Sequence, residues 1–350
     1  MNKINHKNLV VNISLSLISI FFCALLLIFV IEAKYFIETK KYLSCAWHDP
    51  NTKFDPELGW SPIPNRKISV PSWGTISSNS FGFRSAEIDQ NKKQIIVLGD
   101  SFAWGFGVND TETFPYFLDK MVSKLGYQVS NLAVSGYDIG QDYLFLKRHI
   151  NKFNNLKQVI LVICTENDLI GTGRNFEHGK RKPLFIVRDN ELILTTNIIN
   201  EHCLKNLFSR SYFFGRGDLI YKEGIIKDIF SRVAGDKYLS ARELELVLIA
   251  LFQKINELVL NHNAELLVVL SPSKGDCIEK SASLDSFEYI FNNVRFKGLS
   301  YIDYVEVLKK EDQKELNSFY LADGHYSRKG NMFLAKTVYE QLHKALKDNR

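Results

Sequence analysis

The first long pattern in the chain is apolar and has no period. Residues 9–31 read LVVNISLSLISIFFCALLLIFVI and contain no charged residue. That is the length a helix needs to cross a bilayer. The run exceeds the ~7–15 apolar residues of a secretory signal, and FVIEAKYF offers no small-x-small cleavage site after it. We therefore expect a short tail over residues 1–8 and a retained single-span transmembrane anchor over residues 9–32. Lys3 and Lys7 precede the span and Lys34, Lys40 and Lys41 follow it, so local charge barely sets its orientation. Long domains translocate regardless of such counts, and the C-terminal domain is expected on the extracytoplasmic (periplasmic or extracellular) side.

Residues 33–90 form a lead-in rich in turn formers, as in HDPNTKFDPELGWSPIPN, with little periodicity. From Gln94 the pattern changes to continuous apolar runs alternating with amphipathic stretches. QIIVLGD, YQVSNLAV, QVILVICT and AELLVVLSP read as strands covered on both faces, with a shorter one near LSYIDY. Between them TETFPYFLDKMVSKLG, QDYLFLKRHINKF, ARELELVLIALFQKINELVLNH and NMFLAKTVYEQLHKAL carry apolar residues at helical spacing. Repeated βα units predict an α/β fold: a three-layer α/β/α sandwich around a mostly parallel, flavodoxin-like sheet of about five strands. This domain spans residues 91–350, interrupted by an insertion at about 171–240. In that insertion KPLFIVRDNELILTT predicts a hairpin turning at Asp189-Asn190.

An apolar content of 45% with 24% charged residues excludes wholesale disorder. A formal charge of +5 over 350 residues calls for no nucleic-acid partner. Lys180, Arg181 and Lys182 form the densest basic cluster and read as a solvated loop. The five cysteines show no CxxC and no metal-ligand spacing, and no cofactor or metal site is expected.

In such folds ligands sit beyond the carboxyl ends of the strands. The first strand ends in Gly99-Asp100-Ser101, the second in Ser135-Gly136 and the third in Glu166-Asn167-Asp168. LADGHYSRKGN, with Asp323 and His325, stands just before the last helix. Each alone reads as an ordinary turn. Together they meet a chemical requirement, since a serine nucleophile needs a base within hydrogen-bond reach and a carboxylate to orient that base. It also needs donors aimed at the oxyanion formed on attack. Ser101 can be the nucleophile, His325 the base and Asp323 the orienting acid. The N–H groups of Ser101 and Gly136 and the side-chain amide of Asn167 can form the oxyanion hole. No other histidine lies in a glycine-flanked loop beside an acid at this edge of the sheet.

The set GDSFAWG, NLAVSGY, TEND and DGHYSRKGN, in that order, resembles the SGNH/GDSL-type serine esterases. DPELGWSPIPN and NSFGFRS are similar to the segments preceding the domain in membrane-anchored bacterial members. The resemblance covers about residue 55 to the end and implies an esterase acting on acyl or acetyl esters through an acyl-enzyme. An envelope position favours carbohydrate carriers. Two positions depart from the family pattern. Thr165 stands where the third block commonly has glycine, and Ala322 stands where many members place the acid, three before the histidine.

The glycines at 105 and 107 suggest nucleotide binding, but the third spaced glycine and a P-loop lysine are missing. The Gly-x-Ser-x-Gly elbow is also missing, because Phe102-Ala103 follow the serine. Hydrolysis and O-acyl transfer to a polysaccharide remain open for the same site. So does a non-catalytic member that binds a glycan or an envelope acyltransferase partner.

Overall fold

The computed structural model describes residues 6–39, 50–165, 167–177, 180–195, 237–278 and 300–348. The chain divides into two units, residues 1–48 with 201–235, and residues 49–200 with 236–350. Most of the insertion beyond the hairpin, together with Glu166, Cys45 and Cys203, lies outside the described residues.

In the first unit the described residues form the helix α1, which runs from His6 to Thr39. Its described large apolar side chains between Leu15 and Val30 are all exposed. These side chains are described without a break only over residues 14–30. Among the described residues no helix is long and apolar enough to cross a membrane. The backbone helix itself extends through the whole uncharged stretch of 9–31.

The second unit holds the sheet. Its lead-in carries two antiparallel hairpins, β1 (Thr52–Asp55) with β2 (Gly59–Pro62) and β3 (Lys67–Val70) with β4 (Gly74–Ser77). The chain then alternates through β5 (Lys93–Leu98), the one-turn helix α2 (Ser101–Trp104), α3 (Phe114–Val122), β6 (Tyr127–Asn131), α4 (Ile139–His149), β7 (Leu156–Cys164) and the short α5 (Asp168–Thr172). A pair of two-residue strands, β8 (Phe176–Glu177) and β9 (Lys180–Arg181), leads into the hairpin β10 (Phe185–Arg188) and β11 (Glu191–Leu194). Asp189 and Asn190 both take positive φ, 52° and 63°, as the expected two-residue turn requires. The helix α6 (Ala241–Leu260), the strands β12 (Glu265–Ser271) and β13 (Ser300–Asp303), and the helix α7 (Arg328–Asp348) follow, with short helices at Lys274–Ile278, Tyr304–Leu308 and Gln313–Ser318.

The central sheet has five strands in the order β13-β12-β7-β5-β6, and every pair is parallel. This is the flavodoxin-like order, with the direction of winding reversing between β5 and β7. The strand sequences read as unbroken apolar runs because both faces are covered. On one face Ile95, Val97, Ile160, Val162, Leu267 and Val269 pack with Phe114, Leu118 and Val122 of α3 and Leu334, Ala335 and Val338 of α7. Strand alternation sends Ile96, Leu98, Val159, Leu161, Leu266 and Val268 to the opposite face, where α4 and α6 lie against each other and α6 against β12. Each of these large side chains contributes about 1.5–3 kcal/mol on burial, so the register of the strands is firmly set. The register in turn places the ends of β5, β6 and β7 side by side.

One sequence expectation is overturned here. Lys182 is not solvated: its side chain is sealed from water, and its ammonium reaches the Asp138 carboxylate and donates to Gly171 O at 2.7 Å. A buried ammonium needs such partners. They sit at the ends of α4 and α5, where local sequence around the basic cluster gives no sign of them.

Candidate active site

β5 ends in a forced turn. Gly99 has φ 135°, and a Cβ there would come within 2.5 Å of Val162 O, so glycine is needed on both counts. Asp100 follows as the N-cap of α2, its carboxylate accepting the Phe102 N–H at 2.9 Å. Ser101 is thereby placed at the first position of that helix, 8% exposed. Its Oγ lies 2.9 Å from His325 Nε2 and 3.4 Å from Asp100 Oδ2.

His325 arrives from the other end of the chain on a tightly held loop. Leu321 N–H donates to His325 O at 2.7 Å, Gly324 turns with φ 91°, and Ser327 N–H donates to Phe319 O at 2.7 Å. The next residue, Tyr326, is buried, and its hydroxyl meets Ser271 Oγ at 2.8 Å. Asn331, at the start of α7, donates through Nδ2 to Tyr326 O and accepts the Phe114 N–H, at 3.1 and 2.9 Å. The imidazole is flanked by the rings of Phe102 and Phe106, with centroids 5.1 and 4.7 Å away. These contacts fix the ring with Nε2 toward the serine.

Asp323 lies on the other side of the imidazole. Its Oδ2 is 3.4 Å from Nδ1, and its Oδ1 accepts the His325 backbone N–H at 3.2 Å. Nδ1 makes no aligned hydrogen bond among the described residues. The carboxylate, whose side chain is about half exposed, therefore acts on the ring by proximity more than by a directed bond.

The predicted donors lie on the turns next to the Gly99–Ser101 turn. Gly136 sits in the turn after β6 with φ 78°, and the segment before it is pinned to the nucleophile turn by Val134 N–H to Gly99 O at 3.0 Å. Asn167 caps α5 at the end of β7, and its Nδ2 lies 3.4 Å from Asp100 Oδ2. The structure thus brings Ser101, His325, Asp323 and Asn167 together, with Gly136 on the neighbouring turn. Thr165, which stands where the resembled motif has glycine, ties its own N–H to Ser271 O at 3.0 Å and leaves Asn167 in place.

The residue that sequence reasoning missed is Asp100. Its position inside Gly-Asp-Ser was the available signal, yet a turn aspartate is too common to stand out. Fully buried, it accepts from Phe102 N–H and lies 3.4 Å from both Ser101 Oγ and Asn167 Nδ2. Burial raises its carboxyl above the usual range, while those bonds and the charge of His325 pull the other way. Behind it, burial pushes Asp142 and Asp168 well above the carboxylate range, reinforced by the carboxyls around them. Asp142 accepts the Gly99 N–H at 3.2 Å and Asp168 the Cys164 N–H at 2.8 Å. Both bonds hold the strand ends that carry the site. Among the described residues no cluster of His, Cys, Asp and Glu could hold a metal ion.

No family model matches the sequence, and no curated protein matches it. Among solved structures the chain is similar to TesA, with 13% identity over 73% of this chain and 99% of that one, at a TM-score of 0.42. It is similar to the psychrotrophic esterase EstA from Pseudoalteromonas sp., with 13% identity over 73% of this chain and 100% of that one, at a TM-score of 0.39. It is also similar to a family two carbohydrate esterase from Clostridium thermocellum in complex with cellohexaose, with 11% identity over 75% of this chain and 67% of that one, at a TM-score of 0.41. Likeness of this degree says nothing about chemistry, which rests on Ser101, His325 and the groups around them.

Proposed function

We propose that the chain is a serine ester hydrolase that works through an acyl-enzyme. The observation that carries this reading is the 2.9 Å contact between Ser101 Oγ and His325 Nε2 at the switch point of a parallel sheet. Ser101 Oγ attacks the ester carbonyl as His325 Nε2 takes its proton. The carbonyl oxygen becomes an oxyanion and is met by the N–H groups of Ser101 and Gly136 and by Asn167 Nδ2. When the tetrahedral intermediate collapses, the C–O bond to the alcohol breaks and Nε2 returns the proton to the leaving oxygen. Water then attacks the acyl-serine, with His325 again as base, releasing the acid and restoring Ser101.

The substrate we favour is an acyl or acetyl ester on a carbohydrate of the cell envelope. Its support is the resemblance of the four motifs together with the uncharged stretch 9–31 of α1, whose described large side chains are exposed. A helix of that kind is suited to a bilayer rather than to water, so the chain is read as anchored through residues 9–32 with its sheet domain on the extracytoplasmic side. If a sugar hydroxyl replaces water in the second step, the same site is an O-acyltransferase.

The test uses the full chain in detergent with a fluorophosphonate probe and p-nitrophenyl acetate. Wild type should label and turn over, and Ser101→Ala and His325→Ala should do neither. A folded wild type that is inert to both reagents and to acetylated oligosaccharides would sink the catalytic reading and favour a binding protein. Adding acceptor sugars to the active enzyme separates hydrolysis from transfer.

A further inference from the structure

The lead-in hairpin touches the oxyanion turn at one telling point. Trp60, on β2, is 1% exposed, and its indole Nε1–H donates to the carbonyl of Ser135 at 3.3 Å. The carbonyl of Ser135 and the N–H of Gly136 belong to the same peptide unit. That unit is planar and, like every peptide among the described residues, trans. In a trans peptide the C=O and N–H point in opposite directions, so whatever holds the carbonyl also aims the N–H. Among the described residues no acceptor takes the Gly136 N–H. It is left available to a ligand.

Trp60 is itself held in place. Its backbone carbonyl accepts the Tyr137 hydroxyl at 2.6 Å, and the two rings meet edge to face with centroids 5.7 Å apart. One residue pair further along, Gln141 Nε2 donates to Leu58 O at 2.7 Å. The hairpin behind this contact also needs its glycine, because a Cβ on Gly59, φ 85°, would come within 2.2 Å of Arg181 O. A rigid donor is thus locked against the carbonyl side of the peptide whose N–H the reading above assigns to the oxyanion. Hydrogen bonding at the carbonyl also polarises the amide and strengthens its N–H as a donor.

We propose that Trp60 is a positioning residue that aims and polarises the Gly136 oxyanion donor, making the lead-in hairpin part of the reaction machinery. The proposal rests on the hydrolase reading above. Loss of a whole oxyanion donor costs about 10²–10³ in rate, and loss of its support should cost part of that, about 10- to 100-fold in kcat. KM should stay within about twofold, because the oxyanion exists only in the transition state.

Two replacements of the full chain in detergent test this: Trp60→Phe, and the shape-matched analogue β-(3-benzothienyl)alanine at position 60, which lacks the indole N–H. Each is assayed for kcat and KM on p-nitrophenyl acetate. Each is also read by the ¹⁵N resonance of Gly136 in ¹⁵N-glycine-labelled protein, assigned by its loss in Gly136→Ala. The expected result is a selective fall in kcat with a shifted Gly136 resonance in the analogue, even if Trp60→Phe fails to fold. An analogue with wild-type kcat, or with an unmoved Gly136 resonance, overturns the proposal and leaves the hydrolase reading standing. A wild type that turns over no ester overturns both.

Discussion

The ammonium of Lys182 meets the carboxylate of Asp138 with neither side chain open to water. This pair joins the two turns that carry the proposed oxyanion donors Gly136 and Asn167. Asp138 lies two residues beyond Gly136 and caps α4 by accepting the Gly140 and Gln141 N–H groups at 2.7 and 3.1 Å. The same ammonium donates to Gly171 O, whose N–H is bonded back to Asn167 O at 2.7 Å.

Breaking that pair on one side strands the other charge in the protein interior. Lys182→Met should therefore destabilise the domain by about 3–5 kcal/mol, read as a lowered midpoint in urea denaturation. Pairing Lys182→Met with Asp138→Asn should recover a good part of the loss. A single variant as stable as wild type would show that water reaches this pair.

Asp323 and His325 should differ sharply in what their loss does. The carboxylate lacks an aligned bond to Nδ1, so Asp323→Ala is expected to lower kcat on p-nitrophenyl acetate only about tenfold. His325→Ala removes the proposed base and should cost about 10²–10⁴ or more. Equal losses in the two variants would mean that Asp323 swings into alignment once substrate is bound.

His149 makes the fold sensitive to mild acid. Burial and the charges of Arg148 and Lys152 lower its pKa from 6.5 to about 4. Between those values the unfolded chain binds a proton that the folded one refuses. Stability is therefore full above pH 6.5 and falls progressively as the pH drops toward 4. His149 packs edge-on against Phe83 and Phe145, so His149→Phe should fold and flatten this part of the curve. Thermal melts of both proteins from pH 7 to 4 are the check; parallel curves would rule the histidine out.

What could be read in advance follows from the range of the interactions. β5, β7 and β12 announce themselves because a strand buried on both faces must be apolar at every position. The Asp189-Asn190 turn is visible because few residues tolerate two consecutive positive φ values. Ser101, His325 and Asn167 stand out by their places at strand ends and loops. The contacts of Trp60 and Lys182 are hidden, because their partners lie 75 and 44 residues away and no local period encodes them. A basic triplet reads as solvated until the carboxylate that buries one member is in view. The lead-in gave only turn formers because its strands are four residues each, too short to show an alternation.

The bond from Phe114 N–H to Asn331 Oδ1 spans 217 residues, and it bears on how the protein is made. A chain emerging from the ribosome presents Ser101 long before His325. Until the loop around His325 has been made and docked, Ser101 lacks its 2.9 Å partner. On the proposed mechanism Ser101 should then react with a fluorophosphonate only after that late docking, which makes the probe an expected reporter of this step of folding.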